Sequence, residues 1–296
     1  MCAAAPAFAG PFLLATTNDT LWKVDDTGVA SAFATGFTSA RGVTIGPDGN
    51  YYVADLAGTI LKVDSGTGST SAFATLGKAY GVAWQGDTLY ATAFDSSNTI
   101  SKFDTAGAAA GSISTGQTGS NLTDLLFGNN GDLYVSSQGA KGVLHIDSEN
   151  NVTLFADTSA QAALDNNGNN ISTPRGIALV GDSLYVSDSA SCSCSPGGNN
   201  ITIFNATTGL FTGTLVAPAG NPQGLVFDTT TNDFYFASNT GGGILISDLK
   251  GTTTSYASIA GTHDLVILSG TPEPGTALLI FGALSAAVLK FRRRQA

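Results

Sequence analysis

Between residues 12 and 268 apolar residues alternate with polar ones in short runs, and most runs stop at Gly, Asp or Asn. A period of two with turn formers at the boundaries predicts half-buried antiparallel strands. The clearest unit begins Arg41-Gly42-Val43-Thr44-Ile45 and turns at Pro47-Asp48-Gly49-Asn50. It continues through Tyr51-Tyr52-Val53-Ala54-Asp55 and Ile60-Leu61-Lys62-Val63-Asp64, and finishes with Ser71-Ala72-Phe73-Ala74. Its Asp-Gly turn supplies residues that tolerate positive φ, as a tight hairpin requires. Further copies start at Tyr80, Asp124, Arg175 and Gly224, and third strands ending in Asp recur at Asp64, Asp104, Asp147 and Asp248. Helix signals are nearly absent before residue 275.

Four short strands every ~40 residues are the arithmetic of a propeller blade. The segment from Leu14 to Asp25 matches Val53 to Asp64 at an offset of 39, so the N-terminal copy begins at its second strand. At the other end, Thr262-His263-Asp264-Leu265-Val266-Ile267-Leu268 is a first strand without the rest. Together the two ends complete one blade, which seals the ring and removes its exposed edges. The expectation is an all-β, six-bladed β-propeller over residues 11–269, preceded by a leader remnant (1–10) and followed by a C-terminal transmembrane sorting segment (270–296).

The wording Gly-Val/Ile, Asp-Gly-Asn and Tyr-Val-Ala/Ser-Asp resembles the NHL repeat and, more loosely, the SMP-30/gluconolactonase propellers. The resemblance covers most of residues 12–268. Blades three, four and six depart from it, notably by lacking the Asp after the second strand.

Charged residues make up only 11% of the chain, and the formal net charge is −10. Four of the 12 basic residues, Lys290, Arg292, Arg293 and Arg294, lie in the last seven positions; the other eight face 22 acidic residues, a charge of −14. A body so acidic, without a basic stripe, excludes nucleic acid as a partner, because phosphates need Lys and Arg. Of the acidic residues 20 are Asp, a residue that favours turns by bonding nearby amides. Cys192 and Cys194 form a C-x-C pair that falls short of the four ligands of a structural zinc site. A local disulfide and free thiols both remain open for them.

Ala7-Phe8-Ala9 is an A-x-A cleavage signature, although no apolar leader core precedes it. The C-terminus is more specific. Thr271-Pro272-Glu273-Pro274-Gly275 leads into an apolar run from Thr276 to Leu289 that ends in Lys290-Phe291-Arg292-Arg293-Arg294. Fourteen helical residues rise about 21 Å, short of the ~30 Å hydrocarbon core, but Lys and Arg can snorkel to the headgroups. The motif Pro272-Glu273-Pro274, an apolar helix and the Arg292-Arg293-Arg294 cluster resemble the PEP-CTERM sorting signal of Gram-negative bacteria. That resemblance implies export, membrane anchoring, processing by an exosortase-like enzyme and a link to extracellular polysaccharide.

In a propeller, equivalent positions of each blade form rings around the channel. The first-strand ring comprises Arg41, Tyr80, Thr123, Arg175, Gln223 and His263; the second-strand exits include Asp55, Asp188, Ser137, Ser238 and Asp95. The expected ligand site is therefore Arg41, Asp55, Tyr80, Arg175, Asp188 and His263. Two readings of Arg41/Asp55 and Arg175/Asp188 stay open: salt bridges within a blade, or paired arginines receiving a carboxylate or sugar. SMP-30-like lactonases imply a divalent metal held by Glu, Asn and Asp at the mouth, but the body's one Glu, Glu149, falls at a hairpin turn. Asp165-Asn166-Asn167-Gly168-Asn169 starts like a calcium loop and lacks the distal Glu. No catalytic residue or cofactor is assigned, a divalent metal such as Ca²⁺ being the less favoured alternative. The expectation is a non-catalytic binding or scaffold module of the cell envelope; the alternative is an SMP-30-like metal-dependent hydrolase.

Overall fold

The computed structural model describes residues 11–117, 119, 121–157, 173–189, 200–216, 221–240 and 242–268. They form six four-stranded antiparallel sheets arranged as the blades of a propeller. Blade one joins the C-terminal strand Asp264–Ile267 to Pro11–Thr16, Thr20–Asp25 and Ala30–Thr35. The closure read from the repeat is present: Leu14 pairs with Val266 and Ala15 with Leu265. Blade two begins with Ala40–Ile45, blade three with Ala79–Gln85, blade four with Leu122–Phe127, blade five with Pro174–Val180 and blade six with Pro222–Asp228.

Strand alternation puts each blade's apolar faces against its two neighbours, so the core divides into six clusters, one per junction. Leu13, Ala15 and Val24 of blade one meet Tyr235, Ala237 and Ile244 of blade six, which makes the closing junction as apolar as the others. Tyr52 of blade two packs edge-on against Trp84 of blade three at 4.9 Å.

The recurrent Asp at the end of the third strand caps the hairpin that follows. Asp64 Oδ1 accepts from the amides of Gly66 and Thr67, and Asp104 Oδ1 from those of Ala106 and Ala108. In blade five Asn205 does the same for Thr207 and Thr208. These bonds favour the ionised form and hold Asp25, Asp64, Asp147 and Asp248 below the usual carboxylate range. Much of the acidic composition is therefore turn chemistry. Gly107, at a φ of 82° in one such turn, lies where a Cβ would come within 2.0 Å of the Phe73 carbonyl of the preceding blade.

No helix occurs among the described residues, and none there is long and apolar enough to cross a membrane. The expected sorting segment, with Pro272, Glu273, Pro274, Arg292, Arg293 and Arg294, lies outside the described residues, as do the leader remnant, Cys192, Cys194 and the loop 165–169.

Candidate active site

The first strands line the channel, and the repeat sets two successive layers in it. The upper layer contributes Arg41, Tyr80, Arg175, Gln223 and His263 to one pocket. The residues one step further along each strand form the layer below: Gly42, Gly81, Asp124, Gly176, Gly224 and Asp264. The pocket opens to solvent, and its empty space, the open mouth included, is about 270 Å³.

Glycine in the lower layer follows from the close approach of strands near the axis. A Cβ on Gly176 would lie 2.3 Å from the Gln223 carbonyl, 2.8 Å from Leu225 N and 2.9 Å from Gly224 Cα, all backbone of the next blade. Beside this layer, second-strand hydroxyls tie each blade to the next. Ser136 Oγ accepts from Asp124 N and donates to the Arg175 carbonyl; Ser187 Oγ links Gly176 N to Gln223 O. Thr92 and Thr16 make the same bridge in blades three and one. Thr123 belongs to this framework: its buried hydroxyl meets Ser136 Oγ at 2.9 Å and donates to the Pro174 carbonyl.

Asp124 and Asp264 break the glycine pattern in blades four and one, on opposite sides of the channel. Each carboxylate reaches the following blade, Asp124 Oδ2 accepting from Ile177 N and Asp264 Oδ2 from Val43 N, both at 2.9 Å. Burial pushes the Asp124 carboxyl up to about 6. It also raises Asp264 well above the ordinary carboxylate value, and the charge of Asp124 adds to the effect.

In the upper layer Asn18 couples two neighbouring blades. Its Oδ1 receives Arg41 Nη1 at 2.9 Å and lies 3.1 Å from His263 Nε2. An amide oxygen accepts only, so Nε2 carries the proton and Nδ1 presents a lone pair. Nδ1 is buried without a hydrogen-bond partner among the described residues, in a side chain only 8% exposed. Burial, then the charges of Arg41 and Arg175, lower the pKa of His263 to about 3, which keeps the imidazole neutral. Across the channel Arg175 rests on Tyr80 and Phe94, its Cζ 5.6 and 5.4 Å from the two ring centres, and Nη1 donates to Tyr80 Oη at 2.7 Å. Burial raises the Tyr80 phenol, so this hydroxyl is neutral. Gln138, with its amide oxygen turned to the guanidinium, lies 3.2 Å from Arg175 Nε.

The structure thus gathers Arg41, Tyr80, Arg175 and His263 of the expected site and sets Asp55 and Asp188 to other work. Asp55 Oδ2 accepts from Thr38 N at 2.7 Å, and its Oδ1 from Ser39 N at 3.0 Å and Ala57 N at 2.8 Å. Asp188 Oδ1 takes the amide and hydroxyl of Thr173, each at 3.0 Å. Both carboxylates clamp the loop entering the first strand, so the salt bridge to the arginine of the same blade is corrected: among the described residues the ion pairs are Lys62–Asp48 and His145–Asp132. His145 is a blade-face residue, stacked with Tyr134 and Phe155. Asp124, Asp264 and Asn18 were missed from the sequence. The two Asp had a signal, since they stand where the other copies carry Gly.

The donor set does not suit the divalent cation that an SMP-30-type site implies. Two guanidinium groups line the pocket, Asp55 is committed to three backbone amides and Asp188 Oδ1 to Thr173, and the described residues contain no cluster of three His, Cys, Asp or Glu able to hold a metal.

No family model and no curated protein matches this chain. Solved structures match its fold. The structure titled as a nidogen/laminin complex includes a chain at TM-score 0.70 and 16% identity, covering 88% of this chain and 100% of that one. A gluconolactonase from Xanthomonas campestris, XC5397, matches at TM-score 0.61 and 17% identity, covering 90% and 91%. A catalytically inactive His-to-Ala variant of virginiamycin B lyase from Staphylococcus aureus, with quinupristin, matches at TM-score 0.59 and 14% identity, covering 89% and 94%. The chain has the six-bladed propeller fold that these structures share, that of the gluconolactonase among them. The expectation of a non-catalytic binding or scaffold module, with catalysis less favoured, is corrected by these matches: the same architecture, at nearly full length, is that of a gluconolactonase and a lyase.

Proposed function

We propose that this protein is a hydrolase of the lactonase type whose general base is His263. The observation that carries the reading is the neutral, buried imidazole with an unpartnered Nδ1, linked through Asn18 to the Arg41 guanidinium. A base needs a lone pair that reaches water and a pKa near working pH; Nδ1 is buried and its pKa is about 3, so the reading requires substrate binding to open Nδ1 to the channel and to offset the charges of Arg41 and Arg175. A developing oxyanion needs a fixed cation or hydrogen-bond donor. Nδ1 takes a proton from water as the water oxygen adds to the lactone carbonyl carbon, and the carbonyl electron pair moves onto oxygen near Arg41. Collapse restores the carbonyl and breaks the ring C–O bond, and the leaving oxygen takes the proton back from Nδ1. No step uses a metal, in line with the donor set.

A lyase reading uses the same base on a carbon-bound proton, and the inactive His-to-Ala variant of the S. aureus lyase favours it. Turnover in H₂¹⁸O separates the two. Hydrolysis puts one ¹⁸O into the product carboxylate, whereas elimination incorporates none and leaves a C=C bond. Failure to accelerate the opening of any lactone would remove the hydrolase reading.

The NHL-like repeat and the PEP-CTERM-like tail extend the proposal to location. Pro272-Glu273-Pro274 and Arg292-Arg293-Arg294 support export to the envelope of a Gram-negative bacterium, anchoring by residues 270–296 and processing by an exosortase-like enzyme. Extracellular polysaccharide is then a source of sugar-derived substrates. Cell fractionation with and without the terminal arginines tests the anchor.

A further inference from the structure

We infer that Arg175 is a specificity determinant that receives a carboxylate on a monosaccharide-sized substrate, at the end of the molecule away from the bond attacked at His263. The inference rests on the reading of the mouth as an active site. It starts from the unequal surroundings of the two arginines. Arg41 shares Asn18 with His263, so its charge belongs to the side where the reacting carbonyl would lie. Arg175 stands three blades further round, on the opposite side of the same pocket.

Among the described residues the partners of Arg175 are neutral: the Tyr80 hydroxyl, the Gln138 amide oxygen and the faces of Tyr80 and Phe94. The carboxylate that its blade offers, Asp188, takes the Thr173 amide and hydroxyl instead. A guanidinium held on aromatic faces keeps its plane fixed, and its hydrogen-bond partners, Tyr80 and Gln138, are neutral groups that a carboxylate can displace. A part-buried cation without an anionic partner costs free energy that an anionic ligand offsets on binding. The floor below carries Asp124 and Asp264, which bond to Ile177 N and Val43 N and are held toward their neutral forms.

The test is calorimetric binding of glucuronate, glucarate and glucose to the full chain, as wild type, Arg175→Met and Arg175→Lys, each checked by thermal melting. The uronate and the dianion are expected to bind and glucose not to. Arg175→Met should weaken anion binding about tenfold or more, and Arg175→Lys should restore part of it. Equal affinity for glucose and glucuronate, or anion binding unchanged in folded Arg175→Met, overturns the inference. The enzymatic reading fails separately: anion binding that needs Arg175, without turnover of any lactone, keeps the anion site and removes the hydrolase. Turnover of neutral lactones alone, insensitive to Arg175, does the reverse.

Discussion

Replacing Gly176 with Ala tests how closely the blades meet at the axis. The new Cβ would sit 2.3 Å from the Gln223 carbonyl oxygen, 2.8 Å from Leu225 N and 2.9 Å from Gly224 Cα. All three are backbone atoms of the neighbouring first strand, so no side chain can swing aside. Relief requires separating blades five and six near the channel, which also stretches the Ser187 bridge between Gly176 N and Gln223 O. Overpacking of this kind costs about 1–3 kcal/mol, and strain on a buried hydrogen bond adds to it. At roughly 2–4 °C per kcal/mol for a domain of this size, the melting temperature should fall by about 2–12 °C. Gly213→Ala is the control, because nothing lies within 4 Å of its Cβ position. Scanning calorimetry of both variants at one scan rate is the assay. A Gly176→Ala protein melting within about 1 °C of wild type would refute the close-approach account.

Further outcomes follow from the same contacts. Ser136→Ala removes the hydroxyl between Asp124 N and Arg175 O and should cost about 1–3 kcal/mol in denaturant titration. Asp55→Ala strips the acceptor from three amides and should cost at least about 2 kcal/mol, whereas Arg41→Met, which loses the bonds to the Asn18 and Ala40 oxygens and no ion pair, should cost less. His263 titrates near 3 when folded against an ordinary 6.5, so its contribution to stability is full above 6.5 and lost as pH falls toward 3. Asp124 titrates near 6 against an ordinary 3.8, so its contribution is full below 3.8 and lost as pH rises through 6. The two slopes oppose each other between about pH 4 and 6; relative to wild type, Asp124→Asn should make stability rise more steeply with pH there, and His263→Ala should make it fall. Dialysis against EDTA should leave lactone turnover unchanged, because the mouth offers a dication no suitable donor set.

Much of the fold was legible because a propeller writes its period into the chain. The match of Leu14–Asp25 to Val53–Asp64, with the lone strand at Thr262–Leu268, was enough to place the closing blade. Ring membership was legible for the same reason: equivalent positions in a repeat become neighbours around the channel, and Arg41, Tyr80, Arg175 and His263 do share a pocket. Direction was not. Asp55 and Asp188 sit at the right register to meet an arginine, but loop amides compete for their carboxylates, and the loop path is not written in strand periodicity. Asn18 escaped notice because it comes from the hairpin between the first two chain segments, outside the ring positions. The weight first given to a non-catalytic role came from seeking a metal-binding Glu, whereas the mouth has a neutral histidine between two arginines.

The most direct test of the account is steady-state opening of a panel of aldono- and uronolactones by wild type and His263→Ala, with melting curves to show that both are folded. The account predicts acceleration by wild type, a loss of roughly 10²–10⁴-fold in kcat for His263→Ala, and no inflection near pH 6.5, because the base is already neutral from about pH 4 upward. Acceleration that survives His263→Ala undiminished, or a wild-type protein that opens none of these lactones, would contradict it.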